Sequence, residues 1–294
     1  MYNPSIVHSL FSLGACMIHI LTDSCSDLSP ELIDQFKIEQ IPLNVFINNQ
    51  SYLDNVNISR QQLFAFVDET GILPKTSAPT VEAMHQFLDR DGEVIFIPIS
   101  SALSATYQTA LLVKNNLPDR KIHIIDSKNL STGIGHLVIK AVELREQGFS
   151  TEQIIQQIEA TLPKLHSAFV IDTLDYLYLG GRCTAIQHVF GSLLKIRPVI
   201  EVNSHGMLVV REKIGGSRKK ALNALLEDIR QNASIIDLHR VFITHTGCEA
   251  DATYLANELQ LILPIENLNI TCAGATISSH CGPDTIGILY ITRN

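Results

Sequence analysis

The chain has 294 residues, 46% apolar and 18% charged, against roughly 25% charged in an average soluble protein. A formal charge of −8 argues against a general nucleic-acid surface, and no apolar run reaches the roughly 18 residues of a membrane span. Six cysteines, none spaced as CxxC, exclude a disulfide scaffold, a zinc knuckle and a thioredoxin motif, and read as reduced, cytosolic thiols.

Residues 1–16 read as a loose extension. Leu13-Gly14-Ala15-Cys16 superficially matches a lipoprotein cleavage box, yet Met1–Ser12 has no Lys or Arg and its apolar run is broken by Pro4 and His8. Met17, directly before the first strand, is the expected start. From there strands and helices alternate. Met17–Thr22 is a β-branched run, and Ser29-Pro30-Glu31 opens a helix through about Phe36. Pro42–Ile47 and Ser51–Leu53 flank Asn48-Asn49-Gln50 as a hairpin. Ser59 caps a helix that ends before Gly71. Val94–Ile99 and Lys121–Asp126 are short buried strands, each followed by a helix, and Ser150–Gln153 is a capping box. This rhythm predicts a mostly parallel sheet with helices on both faces over residues 17–165. In residues 166–294, Arg197–Val202 and Met207–Arg211 form a second hairpin. Helices over about 217–231 and 249–261 and strands at Arg240–Thr244, Leu268–Cys272 and Thr285–Thr292 complete an α+β domain. No linker separates the two, so a ligand is expected between them.

The chemistry signals are first of all absences. P-loop, HExxH and GxSxG patterns are missing, and no metal-ligand spacing is present. The turn Thr22–Asp27 lacks the glycines of a dinucleotide loop, and its two acids would repel a pyrophosphate. Gly133-Ile134-Gly135 reads as a packing turn. No cofactor is implied. What recurs is hydroxyl side chains at strand ends: Ser24 after the first strand, Ser100 and Ser101 after Val94–Ile99, and Ser127 after Lys121–Asp126. The carboxyl ends of parallel strands form the ligand crevice of such sheets. The Ser100–Ser104 loop leads into a helix over Ala105–Asn115, whose first amides with the serine hydroxyls suit one anionic head group. Simple capping explains the same serines equally well. Capping also explains the polar loop Lys75–Pro79. Arg182 after Gly180-Gly181, the basic run Arg218–Lys220 and His280 on a glycine–proline turn read, taken singly, as solvated or structural.

Taken together these blocks resemble a known family. TDSCSDL (Thr22–Leu28), KTSAP (Lys75–Pro79), ISSALSATYQ (Ile99–Gln108), IIDSKNLSTGIG (Ile124–Gly135), LDYLYLGGR (Leu174–Arg182), LLKIRPVI (Leu193–Ile200) and HCGP (His280–Pro283) occur in order. They are similar to the DegV family of bacterial fatty-acid-binding proteins over about Met17 to Arg293. The resemblance implies one long-chain fatty acid between two domains, its tail in an apolar tunnel. Its carboxylate would be held by Thr76 and Ser77 of the threonine-serine loop, by Ser100 and Ser101, and by His280. Some members present the carboxyl group to a fatty-acid kinase, with which Arg182 and His280 are then associated. Ala105 and Asp284 stand where glycine is common, and Gly215 replaces an arginine. Each buried methylene contributes about 0.8 kcal/mol, so a long tail needs only neutral hydroxyl and amide donors to orient its head.

Two functions from different classes follow. One is a non-enzymatic lipid carrier or kinase-presenting subunit. The other is an enzyme on a lipid-like substrate, with Ser100 as nucleophile and His280 as base, although no acid is evidently placed to orient that histidine.

Overall fold

A computed structural model of the chain describes residues 17–183 and 196–293. The extension Met1–Cys16 and the first residues of the Leu193–Ile200 block lie outside them. The chain opens with β1 (Ile18–Asp23), α1 (Pro30–Phe36) and β2 (Glu39–Ile41). A hairpin of β3 (Asn44–Ile47) and β4 (Gln50–Leu53) follows. It turns at Asn48 and Asn49, both at positive φ, as a two-residue hairpin turn requires. Next come α2 (Arg60–Thr70), β5 (Lys75–Ser77), α3 (Val81–Leu88), β6 (Glu93–Ile97), α4 (Thr106–Asn115), β7 (Lys121–Ile124), α5 (Thr132–Glu146) and α6 (Thr151–Thr161). The remainder is β8 (Leu165–Val170), α7 (Asp175–Gly180), β9 (Ile196–Val202), β10 (Leu208–Gly215), α8 (Arg218–Asn232), β11 (Ile236–His245), α9 (Glu249–Ile262), β12 (Asn267–Cys272), α10 (Ala275–Cys281) and β13 (Ile286–Thr292).

Strands β2-β1-β6-β7 form an all-parallel sheet. Because side chains alternate along a strand, a sheet covered on both faces needs apolar residues at every position. β6 meets that need: Val94 and Phe96 pack with α3 and α4, whereas Ile95 and Ile97 pack with α1, α5 and α6. The second sheet, β10-β9-β8-β13-β11-β12, is mixed: β11 and β12 run parallel and the other pairs antiparallel. Along β13, Ile286, Ile288 and Tyr290 face α8 and α9, while Leu289 and Ile291 face the same core as α5. Thus α5 lies between the two sheets, with 11 of its 15 residues buried.

Gly133-Ile134-Gly135 is therefore the first turn of α5 and not a turn between elements. The glycines are needed for close approach: a Cβ on Gly133 would stand 2.1 Å from Asn129 Oδ1, and one on Gly135 would stand 2.7 Å from Leu28 Cδ2. A third, three-stranded antiparallel sheet, β4-β3-β5, packs through Val45 and Ile47 against Leu63 of α2 and Ala275 of α10. The capping boxes at Ser59–Gln62 and Ser150–Gln153 are both formed. Strand β5 falls where the sequence reads a polar loop, since pairing with β3 and not hydrophobic alternation makes it a strand.

Candidate functional site

A cavity of about 260 Å³ opens beyond the carboxyl end of β6. Its walls are mostly apolar, from Leu43, Ile99, Leu103, Leu130, Leu208 and Ile277. Thr76, Ser77, Ser104, Thr276, Arg182 and His280 supply its polar groups. A second, much smaller cavity shares the walls Leu130, Ile277 and Cys281 and is bounded beyond them by Phe169 and Leu289.

Three elements distant in sequence build the polar end. β5 carries Thr76, whose hydroxyl lies 2.7 Å from His280 Nε2 at the end of α10. Gly181 closes α7 at a φ of 67°, the left-handed conformation glycine adopts freely, and this turns Arg182 back on itself. Arg182 Nη1 donates to the Gly180 carbonyl at 2.6 Å, and Nε donates to Leu103 O at 3.4 Å. A Cβ on Gly180 would meet His280 Nδ1 at 2.5 Å, so only glycine lets α7 approach the imidazole this closely.

Burial, helped by the Arg182 charge, lowers the His280 pKa to about 4, so the ring is neutral at pH 7. Its Nδ1 is buried without a hydrogen-bond partner among the described residues. An orphan N–H costs more than an orphan lone pair, which favours the proton on Nε2. That N–H donates to Thr76 and leaves the threonine hydroxyl proton free to point into the cavity.

The two serines of the expected head-group site sit differently. Ser100 is fully buried; its hydroxyl donates to Gly206 O at 2.9 Å, in the turn between β9 and β10, and accepts from the Ala102 amide. The Ser101 hydroxyl donates to Asp126 Oδ2 at 2.5 Å. Neither residue is in the cavity wall, where the same loop instead contributes Ser104 and Ala105. The chain brings Thr76, Ser77, Arg182 and His280 to one place and gives Ser100 and Ser101 protein partners. Ser100 and His280 are not paired as nucleophile and base, because the imidazole's bond goes to Thr76.

Sequence reading missed the acids that position α10. Asp27 accepts the Gly274 amide at 2.8 Å and the Ser131 hydroxyl at 2.6 Å, and Asp54 accepts the Ala275 amide at 2.7 Å. Asp23 accepts the amides of Cys25 and Ile99. Burial raises all three carboxyl pKa values, that of Asp23 to about 7. The acids of Thr22–Leu28 thus tie the first sheet's loops to the helix that bears His280. The signal available was two acids in an otherwise uncharged turn. Asp284, at a common glycine position of the resemblance, takes a φ of 57°, in the left-handed region where glycine is at ease.

Residues 17–293 match the model of a family described as "Uncharacterised protein, DegV family". A DegV domain-containing protein of Caldanaerobacter subterraneus is 32% identical over 276 residues, covering 93% of this chain and 98% of that protein. A solved structure described as the fatty acid binding of a DegV family protein from Thermus thermophilus superposes with a TM-score of 0.87. It shares 30% identity and covers 94% of this chain and 99% of that one. A stearic acid-binding protein from Eubacterium ventriosum has a TM-score of 0.82 at 26% identity, with 94% and 99% covered.

Proposed function

The chain belongs to the DegV family, and from that premise we propose that it binds one long-chain fatty acid in the cavity between its two large sheets. The observation that carries this reading is the cavity's one-sided polarity. Its hydroxyl, imidazole and guanidinium groups gather around Thr76, His280 and Arg182, and the rest of its wall is mostly apolar. A fatty acid has that distribution: a tail stabilised by leaving water and one anion needing donors. Thr76 donates to the carboxylate, Ser77 stands beside it, and His280 orients the threonine. Ser100 and Ser101 act one step back, Ser100 by holding the β9–β10 turn against the loop.

The protein acts by holding its ligand, without turnover. Native mass spectrometry of protein purified from bacteria tests this: a co-purified long-chain acid is expected. An empty chain that hydrolyses an activated ester would overturn it.

Presentation of the carboxyl group to a fatty-acid kinase is a finer part of the same reading. It is supported by Tyr178 and Leu179, 38% and 68% exposed, on the helix that leads to Arg182. Arg182→Ala is expected to keep its fatty acid and lose acyl-phosphate formation with such a kinase; a variant that purifies empty would assign the arginine to lipid retention. Cytosolic residence belongs to the proposal as well, and the five free cysteines among the described residues support it.

A further inference from the structure

Cys272 closes β12 and is exposed. Its sulfur lies 3.5 Å from His245 Nε2, at the end of the neighbouring strand β11. The Gly247 amide donates to His245 Nδ1 at 3.2 Å, which places the proton of a neutral ring on Nε2, directed at the sulfur. Arg60, the first residue of α2, brings a guanidinium to the same sulfur and is only 8% exposed. Its Nη2 is 3.6 Å from Glu249 Oε1, while its Nη1 is buried and has no hydrogen-bond partner among the described residues. Cys272, Arg60 and Asn55 share the wall of an open groove.

His245, Glu249 and Cys272 bring ligand-type atoms within 4.8 Å of one another. A metal ion there would face the Arg60 cation, whereas a thiolate would be stabilised by it. We propose that Cys272 is a modification site, a reactive thiol that forms a mixed disulfide with a low-molecular-weight disulfide carrying a carboxylate.

The thiol first loses its proton to solvent. The Cys272 thiolate then attacks one sulfur of the incoming disulfide. A new sulfur–sulfur bond forms as the old one breaks, and the departing half leaves as a thiolate that takes a proton from water. The Arg60 guanidinium, in the wall of the same groove, receives the carboxylate of the retained half. The hydrogen bond from His245, helped by the nearby Arg60 guanidinium, holds the Cys272 pKa below the ordinary thiol range despite partial burial. The groups facing the sulfur are His245 of β11, Arg60 of α2 and Glu249 of α9, with Asp54 turned instead to the Ala275 amide. The other described thiols contrast with it. Cys25, Cys183 and Cys281 are buried, and burial raises half-buried Cys248 to about 11.

The test uses full-length protein carrying Cys16→Ser, treated at pH 7 with glutathione disulfide or with uncharged hydroxyethyl disulfide. Peptide mass mapping is expected to find one glutathione adduct, on Cys272, absent from Cys272→Ser. Arg60→Met, which keeps the buried volume, should slow glutathione disulfide about tenfold more than hydroxyethyl disulfide, and His245→Gln should move the pH profile of iodoacetamide alkylation upward. No adduct at Cys272, or equal slowing of both disulfides in Arg60→Met, overturns the proposal. Protection of the thiol by micromolar zinc alone would also overturn it, making the cluster a metal site.

Discussion

The two ends of α10 are held in opposite ways. At its start, the amides of Gly274 and Ala275 are accepted by buried carboxylates from the other half of the chain. At its end, among the described residues, His280 makes one hydrogen bond, to Thr76, and leaves Nδ1 without a partner. A helix start needs acceptors for its first amides, so the acids complete a structure. The far end has a neutral ring and a hydroxyl still free to donate, which completes nothing until a ligand arrives. Satisfied polar groups read as anchoring, and unsatisfied ones facing a cavity read as binding.

Breaking the anchored end should have the largest effect. Asp27→Ala strips the Gly274 amide and the Ser131 hydroxyl of their acceptor. Two buried donors left unpaired cost about 4 kcal/mol together. Chemical denaturation should show that loss, and the variant should also purify with less fatty acid because α10 no longer holds His280 in place.

At the binding end the expected change is smaller and of another kind. Thr76→Val keeps the shape and removes the donor, so affinity for a fatty acid should fall by about 2 kcal/mol, or some thirtyfold. Affinity for the fatty alcohol of equal length should change much less. Folding stability without ligand should fall as well, by about 1–2 kcal/mol, because the His280 Nε2–H loses its acceptor, and an unchanged acid-to-alcohol ratio would place the carboxylate away from Thr76.

The acids should also reveal themselves by pH. Asp23 has its pKa raised by burial to about 7, against 3.8 for the exposed group. A carboxyl with a raised folded pKa stabilises the fold at low pH and loses that contribution as pH rises through about 7. The difference in unfolding free energy between wild type and Asp23→Asn should therefore move in favour of wild type by about 1 kcal/mol from pH 7 to pH 6. A difference that stays flat would mean that Asp23 is already ionised. His280, neutral until about pH 4, should leave lipid affinity level across that window.

The smallest effect on binding is expected at Ser100. Because its hydroxyl holds Gly206, Ser100→Ala should loosen the β9–β10 turn and lower stability by about 1 kcal/mol. The ratio of acid to alcohol affinity should not move. A narrowed ratio would return Ser100 to the head group.

These contrasts also mark what the chain discloses about itself. Local rules were readable: the capping boxes at Ser59 and Ser150, the Asn48-Asn49 hairpin, and the strands at β1, β6 and β7, although β7, at the sheet edge, buries only Ile122. The partnerships of Asp27 with Gly274 and of Ser100 with Gly206 span 247 and 106 residues, and no local pattern encodes them. For the same reason α10 went unread, and His280 at its end reads as part of a glycine–proline turn. Its sequence Ala-Thr-Ile-Ser-Ser-His-Cys is poor in helix formers, and acceptors from elsewhere in the chain help to hold its first turn. The motif blocks named Thr76, Arg182 and His280 for the site through their resemblance to a family, where single-residue chemistry read each of them as capping, solvated or structural.

The position of α5 has a consequence for how the two halves depend on each other. Its sides face Ile95 and Ile97 of one sheet and Phe242, Leu289 and Ile291 of the other. A helix with 11 of its 15 residues buried cannot be the outer layer of either half. Cutting the chain between α6 and β8 would therefore not release two self-sufficient pieces. The first would carry a bare apolar ridge, and the second a sheet open along one face. The halves share a single interior, so mutations along α5 are inherited by both at once.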